Sequence, residues 1–238
     1  MPINPEPADL PLSQLPNFDP RTMAVIGIDS HLPRVPQDVL SPAALRERFR
    51  TPPQWAPEIS LERRFMDRPM SIASVLIPVV TRDRPTLLLT ERTTHLSTHS
   101  GQVAFPGGRR DDTDTDAAHT ALREAQEEIG LEPHWVEVIG QLPTYTTGSQ
   151  FIITPVVGLV SPEHQLTLNE YEVADAFEVP LDYLMNPAHH RRHALELASG
   201  ARREWFSMPY MDGASERFVW GATAGMLRNF YRFLSAPS

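Results

Sequence analysis

Glu124, Glu127 and Glu128 stand close together in the segment Ala121-Leu-Arg-Glu-Ala-Gln-Glu-Glu-Ile-Gly-Leu131. At about 100° per residue on an α-helix, their side chains fall within about 100° of one another on one face. Crowded like charges repel, and the Glu124/Glu128 pair alone weakens an isolated helix. Arg123 offsets part of that repulsion through Glu127, but a hard divalent cation would offset far more. Clustered carboxylate oxygens suit Mg2+ or Mn2+, which keep water ligands and share coordination with substrate phosphates. A solvated acidic face is the plain alternative for any pair of glutamates. The upstream Gly107-Gly108 tips the reading towards a metal site, because it lets the backbone approach a ligand closely and turn into the helix.

Such carboxylates need a rigid support. Ala118, Ala121, Leu122, Ala125 and Ile129 form an adjoining arc that packs into a core. The spacing predicts a helix over about 116–129, closed by Gly130 in the left-handed position after a helix end. Asp111, Asp112, Asp114 and Asp116 precede it, and capping of the positive helix end explains them better than a second metal cluster. Around this helix, the β-branched run 72–80 has a hairpin partner at 85–92, and 102–105 forms a short strand leading into the glycine turn. Further strands are expected at 134–141 and 151–160, a short helix from Pro180, paired strands at 193–197 and 203–209, and a last helix at 221–234. The order predicts an α/β (α+β) sandwich.

Composition narrows the function. The chain has 238 residues, 41% hydrophobic and 21% charged, which is enough apolar matter for a folded core. A formal charge of -9 argues against a general grip on nucleic acid, although a local basic pocket can still bind a small anion. With no cysteine, disulfides, thiolate zinc sites and cysteine nucleophiles are excluded. The longest apolar runs are about half the roughly 20 residues that span a bilayer, and the opening residues carry no signal-peptide pattern. A cytoplasmic protein without membrane contact is expected. Twelve of the 24 prolines lie within residues 1–57. Residues 1–64 therefore read as a proline-rich arm with one short helix at 41–49, where Ser41 is the N-cap and Pro42 opens the helix. The remainder, 65–238, is expected to form the folded domain that carries the acidic helix. The first 40 residues read as a mobile or surface-hugging tail, with a homodimer contact as the alternative.

Phe105-Pro-Gly-Gly108 followed by Arg123-Glu-Ala-Gln-Glu-Glu-Ile-Gly-Leu131 resembles the Nudix box. In that box Gly, five residues, Glu and seven residues precede Arg-Glu-aliphatic-x-Glu-Glu-x-Gly-aliphatic. Here the spacer is one residue longer and Asp114 replaces the isolated Glu. Nudix hydrolases act on nucleoside diphosphates linked to another moiety. The resemblance implies the Nudix fold, a mixed β-sheet sandwiched between helices, with a small-molecule nucleotide as partner. It also implies that Glu124, Glu127 and Glu128 bind the metal ions and that the Gly107 carbonyl joins them.

Leu88-Leu-Thr-Glu-Arg92, His95, His99, Gly101 and Phe105-Pro-Gly-Gly108 are similar to the motif upstream of the box in coenzyme A pyrophosphatases. So are Thr154-Pro-Val-Val-Gly158, Phe177-Glu-Val-Pro-Leu181 and Phe218-Val-Trp-Gly-Ala-Thr-Ala-Gly225, and the likeness spans about 41–234. It implies cleavage of coenzyme A or acyl-coenzyme A into 4′-phosphopantetheine (or its acyl form) and adenosine 3′,5′-bisphosphate. Arg92, His95, His99, Arg109, Gly107 and Gly108 then become substrate-binding candidates, because such a substrate carries a pyrophosphate and a ribose phosphate. Glu172 matches a family position where a distal carboxylate closes over the site, as a late metal ligand or general base. Ser97 stands where the subgroup has arginine. That keeps open another nucleoside diphosphate derivative (ADP-ribose, a dinucleoside polyphosphate or a damaged nucleotide), as well as a sensor that binds without cleaving. His189-His-Arg-Arg-His193 reads as a polar turn, and Trp220 as packing for the last helix.

Overall fold

A computed structural model describes Leu12, Leu15 and residues 18–62, 69–93, 101–197, 200 and 202–237. Its centre is a parallel pair, β2 (Ser71–Val80) and β8 (Phe151–Val160), with Ser71 opposite Phe151 and Val80 opposite Val160. Both read as near-continuous apolar runs because both faces are buried. Along β2, Val75, Ile77 and Val79 belong to one core cluster while Leu76 and Val80 belong to the other, the two-residue alternation of a strand.

The other edge of β2 is shared by two partners. Its end pairs with β3 (Thr86–Arg92) and its first half with β5 (Gly107–Arg109), so that Val75 lies opposite Gly107 and Ala73 opposite Arg109. Strands β4 (Val103–Ala104) and β9 (Val173–Pro180) pair with β3, while β6 (Val136–Gln141) and β7 (Tyr145–Thr146) pair with β8. A second, antiparallel sheet runs β1 (Val25–Ile28), β10 (Arg191–Glu196), β11 (Arg202–Asp212) and β12 (Ser215–Trp220).

Helix α2 (Ala117–Ile129) covers one face of the mixed sheet with Ala121, Ala125 and Ile129. On the other face lie α1 (Pro42–Arg50), through Leu45, and α4 (Gly221–Ser235), through Leu227, Phe230 and Phe233. A short helix α3 (Leu181–Leu184) follows β9. The expected mixed sheet between helices is therefore what forms. Its helix ends follow the local signals: Ser41 Oγ accepts from the Ala44 N–H, Asp116 Oδ1 accepts from the His119 N–H at 2.8 Å, and Gly130 sits at φ 65°.

Three expectations change. A mobile tail does not describe residues 18–40: β1 pairs with β10, and Val35 and Leu40 are each 2% exposed within the core. Prolines bar long helices there but tolerate extended chain, which apolar and ionic anchors then fix. The expected boundary at 64/65 lies outside the described residues. The glycine pair is not a turn but the strand β5, and β1, β9 and β12 appear where no strand was expected. The polar turn forms at Pro187–His189 but gives way to β10 at Arg191, and the segment buries two imidazoles, His190 and His193.

His190 has no exposed surface; its Nε2–H donates to the Leu184 carbonyl at 2.7 Å, and Nδ1 accepts from Arg228 Nη1 at 3.1 Å. Burial, chiefly, lowers its pKa from 6.5 to about 4. Folding thus favours the neutral ring. Its contribution to stability is complete above about pH 6.5 and is lost as pH falls through 6.5 towards 4, by at most about 3 kcal/mol. Thermal melts of the parent and of His190→Gln should show the parent losing more stability over that window. Equal acid sensitivity of the two would refute this.

Candidate active site

Helix α2 carries the glutamates at graded depths, because its apolar arc is seated on the sheet. The Glu128 side chain is 6% exposed, Glu124 18% and Glu127 59%. Glu128 Oε2 accepts the Gly107 N–H at 3.2 Å, and its Oε1 lies 3.6 Å from Arg92 Nη1. Burial pushes the Glu128 carboxyl up to about 7, against the pull of Gly107 and Arg92, and the charges of Glu124 and Glu172 add to the rise. Burial also raises Glu124, with Glu127 and Glu172 adding to it and Arg123 opposing. Glu172 thus lies near enough for its charge to be felt by both Glu124 and Glu128.

Strand β5 is what lets them do so. A methyl group at Gly107 would overlap the backbone of Ser74 and Val75, and one at Gly108 would overlap the Glu124 carboxylate. Only a chain without side chains brings this N–H to Glu128 while leaving room for Glu124. Glu172 arrives from the turn before β9. Asn169 Nδ2 donates to Glu172 Oε1 at 3.2 Å, and the Asn169 N–H donates to the Glu128 carbonyl at 2.9 Å, so this turn is anchored on α2 itself.

Arg123 is held by Asp114, through Nε–Oδ1 at 3.0 Å and Nη2–Oδ2 at 2.9 Å, and this pairing keeps Asp114 far below the usual carboxylate range. It also reaches Glu124 and Glu127, each at 3.1 Å. Glu127 is thus turned to the solvent side of the helix. Arg109 lies over the Phe151 ring at 5.2 Å, at the rim rather than among the glutamates. His95, His99 and Ser97 lie outside the described residues.

The model of the NUDIX domain matches residues 70–199. The Nudix hydrolase NudL of Escherichia coli is 45% identical over 158 residues, covering 66% of this chain and 79% of the relative, and NudL of Escherichia fergusonii matches to the same extent. The chain belongs to the Nudix family. Among solved structures it is similar to a C. elegans Ap4A hydrolase in a binary complex (17% identity over 50% of this chain and 86% of that one, TM-score 0.41). It is also similar to RenU from M. smegmatis (24% identity over 47% and 72%, TM-score 0.38).

As a Nudix hydrolase the protein cleaves the pyrophosphate bond of nucleoside diphosphate derivatives. The Nudix donor set fits a hard divalent ion. It is made of oxygen alone, and burial together with neighbouring carboxylates raises Glu124 and Glu128, which a cation beside them would relieve. Among the described residues, no three acidic or imidazole groups yet stand around a common point. Arg123 lies 3.1 Å from both Glu124 and Glu127, and Arg92 lies 3.6 Å from Glu128.

A cavity of about 300 Å3 opens from Glu128, Gly107 and Arg92 towards Trp205 and Trp220. Neither tryptophan was singled out for substrate from the sequence. Trp220 is a wall of this cavity as well as the residue before α4. Among the described residues, no helix is long and apolar enough to cross a membrane.

Proposed function

We propose that the protein hydrolyses coenzyme A or acyl-coenzyme A to 4′-phosphopantetheine (or its acyl form) and adenosine 3′,5′-bisphosphate. The observation that supports hydrolysis is that Glu128 and Glu124 of α2 face the side-chain-free strand Gly107-Gly108, beside Arg92 and an open cavity. Coenzyme A is supported by the likeness of Leu88–Arg92, Gly101 and Phe105–Gly108 to the motif of that subgroup.

In this reading Glu124, Glu127 and Glu128 would hold Mg2+ or Mn2+ together with the Gly107 carbonyl. Such ions would supply neutralisation of phosphate oxygens and a lowered pKa for a water molecule. Glu172, steadied by Asn169, either completes the ligand set or takes the proton from the attacking water. Arg92 receives the phosphate side of the substrate, its fork already turned to the site by Glu128. The Gly107 N–H donates to the Glu128 carboxylate and helps to orient it. Arg109 serves the rim, and the family likeness adds His95 and His99 as substrate contacts.

Incubation with coenzyme A, ADP-ribose and a dinucleoside polyphosphate in Mg2+ or Mn2+, with products weighed by mass spectrometry, tests this. Release of 4′-phosphopantetheine is expected. A different nucleotide product would move the substrate elsewhere within the family, and tight binding without turnover would make the protein a sensor.

A further inference from the structure

Arg217 ties the second sheet to the edge of the mixed one. It lies on β12, and its side chain is 15% exposed. Nη1 lies 2.9 Å from Glu91 on β3, while Nη2 pairs with Asp175 on β9 and lies 3.2 Å from Asp212 on β11. The guanidinium sits over the ring of Phe177 at 4.2 Å, two residues along β9 from Asp175 and on the same face. Glu91 and Asp175 are direct partners across the ladder, where two like charges push antiparallel strands apart. Among the described residues, Arg217 is the one cation paired with either of them.

The ladder changes register at this point. Glu91 faces Asp175 but Arg92 faces Val173, so β9 advances two residues against one of β3. Such bulges re-aim side chains beside active sites. Here the step leads straight into the site: Glu91 turns to the second sheet and Arg217, whereas Arg92 turns to Glu128 on α2. Val173 follows Glu172, and the Thr93 N–H donates to the Glu172 carbonyl at 3.0 Å, which links the chain after Arg92 to the distal carboxylate.

We infer that Arg217 is a positioning residue for pyrophosphate cleavage: by holding Glu91 and Asp175 together it fixes the bulge that presents Arg92 and Glu172. The inference rests on the roles given to those two residues above, whichever nucleotide is cleaved. It requires the planar fork, because one guanidinium reaches both carboxylates at once, whereas a lysine ammonium is a single point charge. Without the fork the facing carboxylates repel, the strand ends part, and the phosphate contact and the distal acid move together. A displacement of about 1 Å at a reacting group costs up to about a hundredfold in rate, so even a smaller shift is measurable.

The test measures kcat and KM for free coenzyme A with Mg2+, in the full chain and well below its melting temperature. Arg217→Met should raise KM at least about threefold through Arg92 and lower kcat at least about threefold through Glu172. Adding Asp175→Asn removes one of the opposed charges and should recover most of both changes. A brace that served stability alone would lower the melt and leave kcat and KM within about twofold of the parent, and that result overturns the inference. A loss that Asp175→Asn fails to relieve overturns it too. If Arg217→Met does not fold, Arg217→Lys carries the test: a fall in kcat/KM of at least about threefold is expected, and a parent-like value overturns the inference. If the parent cleaves ADP-ribose or a dinucleoside polyphosphate instead, the same measurements use that substrate. A parent that cleaves none of the three overturns the proposed function, and this inference with it.

Discussion

Glu128→Gln is expected to lower turnover at least a hundredfold, about 2.7 kcal/mol of activation free energy, while the chain stays folded. The amide keeps the shape of the side chain and can still accept the Gly107 N–H, so β5 has no reason to leave α2. What it loses is the negative charge that the site uses to hold a cation or to accept a proton. Stability should move the opposite way. Burial raises the Glu128 carboxyl from 4.5 to about 7, so its contribution to the metal-free fold is full below about pH 4.5 and is lost as pH climbs through 7. Glutamine escapes that loss, at most about 3 kcal/mol. In chelator at pH 8 the variant should therefore melt at or above the parent. Full activity would remove Glu128 from the mechanism, and a melt well below the parent would show that the charge is structurally required.

Arg228→Met should destabilise the protein by about 3 kcal/mol, the lower end of the range for breaking a buried ion pair. Arg228 is 1% exposed and joins three distant parts of the chain. Its Nε donates to Glu58 at 2.7 Å, Nη2 lies 2.9 Å from Asp29, and Nη1 reaches His190. Methionine fills much of the volume but leaves Asp29, whose side chain is 8% exposed, with one cation fewer. Arg192 still pairs with Asp29 at 2.8 Å and Glu58 at 2.7 Å, which limits the loss. Urea unfolding measures it, and a change below about 1 kcal/mol would mean that Arg192 alone suffices. Adding Asp29→Asn to Arg228→Met should restore part of the loss, because no uncompensated charge then stays buried.

Where the sequence was legible, the signals were local. The glutamate spacing, the cap at Asp116 and the stop at Gly130 all lie within one helix and its borders, and α2 follows them. The two central strands were equally plain, since burial on both faces leaves an unbroken apolar run. Strand β9 was hidden: Asp175 breaks the alternation between buried Val173 and Phe177, and a proline ends it. Strand β1 is four residues long and three of them are exposed, so no pattern could announce it. Proline density showed what the N-terminal segment could not form but not what it would pack against. Glu172 was reachable only through family likeness, because it meets α2 through the Asn169 turn and not through spacing. Trp205 and Trp220 carried no sign of a cavity, since the wall exists only once β11 and β12 pair.

The double pairing along one edge of β2 has a wider consequence. The glycine strand and the hydrophobic centre share a single rail, so moving the acids relative to the sheet by one residue would turn both cores inside out. The cutting apparatus is thus locked to the scaffold, whereas the tryptophan panel hangs on the other sheet. A change in that panel can therefore leave the glutamates where they are.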